Sequence, residues 1–509
     1  MPATRSRQGC EECRRRRRKC DEQKPGCGQC SAFNRTCRYT LRLVWGASGR
    51  NGSVRKSSAG CQPLFRGSQG RHAADLDEGT LVQQDRALPE MPTTELASSL
   101  PRRLPNGIPL SPTYRRLLSY FTGDILASLS CHPSIHQDLR QGLVPVTLES
   151  PQLMSACLAL SAAGFLSRGV LSVDGVEISK ILGHLQSSGL PLLRSALETG
   201  QMSETLLATC LIWCLTDVFT YRQGTSSWRI HLQGVRALLD GDMARRRSTA
   251  SSSSALRSAM KHLHQLYLSL QTLPYIPPSE ISELTPSGHA PTETTRKVNL
   301  EPAPSPAIDG FLGYSDELLE VLHQIDQLSR LSSDGATQPS FEADVLLGKI
   351  KAMISRDSKS PPAIAIGSPL SPEYGREFTL CHQVFQQATL IHVYRRLYHL
   401  PSGSRPIQYA VCAMQDMLSS MSQGQPCHTW VAMAMPLFTL GCEAFTEEQQ
   451  GFALDKVDKL EECIRSLHVR IIRQALQDIW RVRASLGDCS GELCASQLLE
   501  KLDYNIILF

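Results

Sequence analysis

From about residue 110 to the end, apolar residues recur at the spacing of amphipathic helices. Leu207, Leu211, Leu215 and Phe219 form a row four residues apart, with Cys210, Cys214 and Val218 beside it. Cys381, Phe385, Ala388 and Ile391 repeat the pattern. So do Ile464, Leu467, Ile471, Ala475 and Ile479, with Arg465, Arg470, Arg473 and Arg481 on the other faces. No stretch alternates with the period of two that marks a half-buried strand. The pattern predicts one large all-α domain over 110–509, with loops near 241–253, 274–310 and 355–373 where Pro, Ser and charged residues interrupt it.

The first hundred residues read differently. Residues 1–9 are polar and are expected to be disordered. Residues 38–109 are expected to be a flexible linker, because Gly, Ser, Pro and Arg replace any apolar periodicity beyond Gly46. No three-heptad repeat follows the cysteine-rich segment, so no coiled-coil linker is evident. Both monomeric binding and a homodimer built through the larger body stay open.

Charge is divided just as unevenly. The chain of 509 residues carries a formal +5. Residues 1–50 hold 13 Lys/Arg against 4 Asp/Glu, a net of +9, which leaves the remainder at −4. A basic head on a slightly acidic body points to a polyanionic partner for the head. Residues 1–20 contain no apolar signal region. The longest apolar stretch on an expected helix, Leu206 to Leu215, is far short of the roughly 20 residues that span a bilayer. A soluble intracellular protein with no membrane partner is expected. In that compartment clustered cysteines point to metal rather than to disulfides.

Six of the 18 cysteines lie in the basic head: Cys10, Cys13, Cys20, Cys27, Cys30 and Cys37. Their spacing is one unit, C-x2-C-x6-C, written twice. Structural Zn²⁺ on thiolates is tetrahedral. Two ions require eight ligand positions, so with six sulfurs two must bridge. The internal repeat selects the pair at equivalent places, Cys10 and Cys27. Cys13 and Cys20 then complete one site, and Cys30 and Cys37 the other. The segment is too short to bury an adequate apolar core, so metal must supply much of its folding free energy. A disulfide knot, a one-zinc finger with spare thiols and a redox C-x-x-C site compete. The first lacks a targeting signal, the second leaves two cysteines unexplained, and the third lacks a βαβ context.

Arg14, Arg15, Arg16, Arg17, Arg18 and Lys19 lie between the second and third cysteines. Without Gly or Pro, the run is expected to form a short helix. Cations on every face suit a groove between two phosphate backbones rather than a core. A solvated charge run or a nuclear import signal would read the same way, and an import role can coexist with DNA contact.

Cys13-Arg14-x-Arg16-Arg17-x-Lys19-Cys20-Asp21, followed by Lys24-Pro25-x-Cys27-x-x-Cys30, resembles the fungal binuclear zinc-cluster transcription factors. The resemblance implies two short helices around two zinc ions over 10–37. The first helix would enter the major groove of double-stranded DNA and read a CGG-type half-site. By position, Arg16 and Arg17 would read bases, with guanine O6 and N7 as natural acceptors. Arg14, Arg15, Arg18 and Lys19 would hold phosphates. An unbroken arginine run departs from the family's usual alternation of basic and other residues.

The helical part resembles the fungal-specific regulatory domain that accompanies such clusters. Ser150-Pro151-Gln152-Leu153 through Ala163, Ser227-Trp228 through Leu239, Pro436-Leu437-Phe438 with Gly441 to Ala444, and Ile479-Trp480-Arg481 carry it in order. The resemblance implies a nuclear regulator of RNA polymerase II genes that engages the transcription machinery. It also implies control of a single pathway, such as a metabolite gene cluster. Trp228 and His231 are expected to pack. The twelve other cysteines are expected to be small core residues, and the C-terminal segment from Leu498 to Phe509 to dock on the core. No GxSxG, HExxH, P-loop or GxGxxG occurs, and no enzyme is expected. A ligand-responsive regulator, or a zinc-bearing interaction scaffold, are the alternative readings.

Overall fold

The computed structural model describes residues 11–16, 18, 20, 21, 23, 27–33, 35 and 37 of the head. In the body it describes 110–198, 203–220, 227–243, 254–271, 306–331, 341–424, 427–486, 494–502, 504 and 506. The expected linker over 38–109, Cys10, Arg17 and Lys19 lie outside the described residues. The chain divides into two compact units, Met1–Ser99 and Leu100–Phe509.

Among its described residues the first unit holds two helices of about one turn each, Glu11–Arg15 and Gly28–Ala32. Among its described residues only Cys13, Cys20, Cys27 and Cys30 are buried, with Cys37 packed against them. Four sulfurs are no hydrophobic core, and this is the arrangement of a fold organised by metal.

The second unit is mostly helical. Serines start several helices: the hydroxyls of Ser111, Ser150, Ser203 and Ser371 each accept from the backbone N–H three residues on. Pro112, Pro151 and Pro372 sit in the first turns that follow, where no partner for the missing N–H exists anyway. Such a cap contributes about 1 kcal/mol. Thr446 and Gln449 form a reciprocal capping box at the head of Glu447–Ile464.

Two helices buried on most of their faces organise the packing. Pro151–Ser167 is enclosed by Ile178–Glu198 and Glu204–Phe219, and the latter packs on Ser227–Met243. Pro133–Glu149 lies on Ser254–Gln271 at Gly142, where a Cβ would come within 2.5 Å of the Ala255 carbonyl. Pro372–Arg396 is the second centre, against Asp316–Leu331, Phe341–Lys359, Arg405–Ser420 and Ala434–Cys442. Every residue of Ala434–Cys442 is buried, the signature of a helix with no solvent face. It packs on Glu447–Ile464 and Leu467–Leu486.

The all-α expectation needs correction in detail. Ser172–Val173 and Val176–Glu177 form an antiparallel hairpin, and Ala307–Asp309 pairs parallel with Ala363–Ala365. Strands of two or three residues are too short to write a period of two. Both Asp174 and Gly175 at the hairpin turn have positive φ, as a tight primed turn requires. The segments expected as loops near 274–310 and 355–373 contain that parallel pair, and the Phe341–Lys359 helix runs into the second of them. The apolar row from Ile464 to Ile479 does not lie on one helix. Arg465 is left-handed, with φ 53° and ψ 44°, and ends the helix at Ile464. The next helix buries Val469, Ile472, Leu476 and Ile479, with Ala475 beside them.

Candidate metal centre and nucleic-acid interface

Cys13 lies on the first short helix, and Cys20 follows the arginine run. Cys27 caps the second helix, where its sulfur accepts the Cys30 N–H at 3.3 Å. Cys30 is on that helix and Cys37 lies beyond it. The sulfurs of Cys13, Cys20 and Cys27 lie within 4.8 Å of one another, as do those of Cys27, Cys30 and Cys37. Cys27 therefore belongs to both groups. Its sulfur is 3.6 Å from that of Cys13, against about 3.8 Å for two thiolates on one tetrahedral zinc at ~2.3 Å. The Cys27 N–H donates to the Cys37 sulfur at 3.2 Å. None of these cysteines is in a disulfide. A buried, all-sulfur donor set at this spacing fits zinc.

Asp21 braces the two halves. Its carboxylate accepts the Gly28 N–H at 2.8 Å, tying the residue after Cys20 to the start of the second helix. A Cβ at Gly28 would meet that carboxylate at 2.7 Å.

The basic run is only partly helical, contrary to the expectation of a helix over all six residues. Arg14 and Arg15 are in the helix, Arg16 is in the turn after it, and Arg18 is outside, its N–H bonded to the Cys13 carbonyl at 2.9 Å. Like charges spaced three and four apart oppose a longer helix, and Cys20 must turn back to the sulfurs. Arg15, Arg16 and Arg18 are exposed. A residue that the motif does not single out gathers Arg15 and Arg16. Glu12 accepts from Arg15 Nε and Nη2 at 3.0 Å each, and pairs with Arg16 Nε and Arg35 Nη1, both at 3.2 Å. The hydrogen bond from Arg15 holds the Glu12 carboxyl below its ordinary range. The spacing of Glu12 to Arg15 and Arg16 is visible in the sequence as i,i+3 and i,i+4 pairs. The contact with Arg35 is not.

The fungal Zn(2)-Cys(6) binuclear cluster domain matches residues 8–45, and the fungal specific transcription factor domain matches residues 116–509. The chain belongs to the fungal binuclear zinc-cluster transcription factors. The cluster domain of this family binds two zinc ions and DNA. Two curated relatives illustrate its reach. The lysine biosynthesis regulatory protein LYS14 of Saccharomyces cerevisiae is 44% identical over 72 residues, 14% of this chain and 8% of that protein. The transcription factor iacI of Pestalotiopsis fici is 25% identical over 356 residues, 70% of this chain and 76% of that protein. No solved structure matches the chain at a significant level.

In this zinc-cluster protein the stretches that carry the regulatory-domain resemblance are structural joints. Ser150 caps a central helix through the Leu153 N–H at 3.3 Å. Trp480 Nε1 donates to the Gly441 carbonyl at 2.8 Å, joining the third stretch to the fourth. Arg483 reaches the Cys442 carbonyl, and Arg395 pairs with Glu443 at 3.2 Å. Trp228 is buried, and His231 Nε2 sits 3.4 Å from Asp217. Cys210 and Cys214 are buried, which pushes the Cys210 thiol up to about 12 and the Cys214 thiol higher, away from reactive thiolate. A cavity of about 70 Å³ is lined by Cys131, Phe311, Tyr314, Phe385, Met435 and His468. Cys131 Sγ donates to the Phe311 carbonyl and His468 Nδ1 meets Ser466 Oγ, so these polar groups are engaged in packing. No helix is long and apolar enough to cross a membrane among the described residues.

Proposed function

We propose that this protein is a nuclear, sequence-specific regulator of RNA polymerase II genes and not an enzyme. One observation carries the reading: two sulfur groups share Cys27, and between two of their members, Cys13 and Cys20, the chain carries an arginine run of which Arg15, Arg16 and Arg18 are exposed. Cys10 and Cys27 bridge the two zincs, Cys13 and Cys20 complete one, and Cys30 and Cys37 the other. Arg16 and Arg17 read the guanines of a CGG-type half-site in the major groove. Arg14, Arg15, Arg18 and Lys19 neutralise phosphates. The helical body is regulatory and works with the transcription machinery. Its target genes serve one biosynthetic pathway, in line with the name of the yeast relative.

The test is binding of the full chain to CGG-bearing and CGG-free duplexes at fixed salt, with and without a chelator. Tighter, chelator-sensitive binding to the CGG duplex is expected. Equal affinity for both removes the sequence-specific claim. Mapping bound sites across the genome tests the single-pathway claim, which scattered, functionally unrelated targets would overturn.

A further inference from the structure

Glu12 is one of four acids in an otherwise strongly basic head. Its side chain is 18% exposed and collects three guanidiniums on one carboxylate. Arg15 binds it in a forked, two-point contact, the strongest geometry open to an arginine–carboxylate pair. Arg16 is drawn to the same oxygen through Nε. Arg35 comes from the second half of the cysteine repeat, anchored there by its N–H to the Cys30 carbonyl at 2.9 Å. Glu12 thus ties the two halves together and gives Arg15 and Arg16 a common origin.

A phosphate oxygen and the Glu12 carboxylate compete for the same guanidinium donors. On non-specific DNA the phosphate must displace an internal partner already in place, which weakens the sequence-independent attraction of the run. A base edge is a different case. Of the five N–H donors of a guanidinium, a contact through Arg16 Nε is compatible with an end-on bidentate bond to guanine through the two terminal nitrogens. Holding Arg16 at Nε limits the rotamers it must lose on binding.

We propose that Glu12 is a positioning residue that sets sequence selectivity, an internal counter-ion restraining Arg15 and Arg16 from loose phosphate capture while presenting Arg16 to the groove. It rests on the base-reading role proposed above for this run.

The experiment measures affinities of the zinc-loaded full chain for CGG-bearing and CGG-free duplexes across a salt series, for wild type, Glu12→Gln and Glu12→Asp. Native mass spectrometry first establishes two zincs in each. Glu12→Gln removes the charge at constant shape. It should bind CGG-free DNA about 3–10-fold tighter and steepen the slope of log affinity against log salt by about 0.9, one more phosphate neutralised. Its preference for CGG should fall about fivefold or more as the non-specific term rises. Glu12→Asp keeps the charge but shortens the reach. It should hold the wild-type salt slope and lose part of the preference, a separation that a merely structural role would not produce. Wild-type slope and wild-type preference in Glu12→Gln would overturn the inference while leaving base reading intact. Absence of any preference in the wild type would remove both. Should Glu12→Gln bind fewer than two zincs, Glu12→Asp decides: an undiminished preference there overturns the proposal.

Discussion

The sulfurs of Cys13 and Cys27 lie 3.6 Å apart although 14 positions separate them in the chain. Cys27 also lies within 4.8 Å of Cys30 and Cys37. One sulfur serving two groups makes the cysteines unequal. Cys27→Ala should lose both zincs, as should Cys10→Ala, whereas Cys37→Ala should primarily lose one. Native mass spectrometry of the purified variants reads the stoichiometry, and two zincs retained in Cys27→Ala would refute the sharing.

The arginines should separate into two phenotypes. Arg17→Ala should relax sequence preference at a cost of roughly 1–3 kcal/mol on the CGG duplex. Arg18→Ala should weaken binding to all duplexes about equally. Competition against DNA of scrambled sequence distinguishes the two, and selectivity unchanged in Arg17→Ala moves base reading elsewhere.

The joint between Trp480 and Gly441 should hold the C-terminal helices together. Trp480→Phe deletes the donor to the Gly441 carbonyl and should cost about 1 kcal/mol. Gly441→Ala would place a Cβ 2.7 Å from the buried Leu476 side chain and should cost about 1–3 kcal/mol. Urea unfolding followed by far-UV circular dichroism measures both. A midpoint unchanged in Gly441→Ala would show that Leu476 yields freely.

Two histidines predict acid sensitivity of the body. Burial lowers His392 to about 3, with Arg396 adding to the effect, and lowers His468 to about 4. Both are neutral when folded and take up a proton on unfolding below about pH 6.5. Their stabilising effect is therefore complete above pH 6.5. It is lost as pH falls toward the folded values, by up to about 1.4 kcal/mol per pH unit for each. Urea midpoints between pH 7.5 and 5 should fall with pH, and less steeply in His468→Gln. An equal slope in that variant would exclude His468 as a contributor.

Much of the candidate site was legible in advance because its signal is local. The cysteine spacing specifies a thiolate metal site, since few other structures need sulfurs at those intervals, and the repeat pairs Cys27 with Cys10. The arginine run announces a polyanion. The run is not one helix, because chain closure around the sulfurs ends the helix at Arg15, and residue propensity carries no information about closure.

The sequence by itself pointed to a thiolate metal centre and determined the basic character of the head and the helical nature of the body. Each depends on residue types at spacings of a few positions, where covalent geometry dictates which side chains can meet. Tertiary structure alone decided that Glu12 gathers Arg35 with Arg15 and Arg16, that Trp480 reaches Gly441, and that Arg465 breaks an apparently continuous apolar row. The first two are partnerships across 23 and 39 positions. The break reflects two packed helices that must change direction, which periodicity along the chain cannot encode.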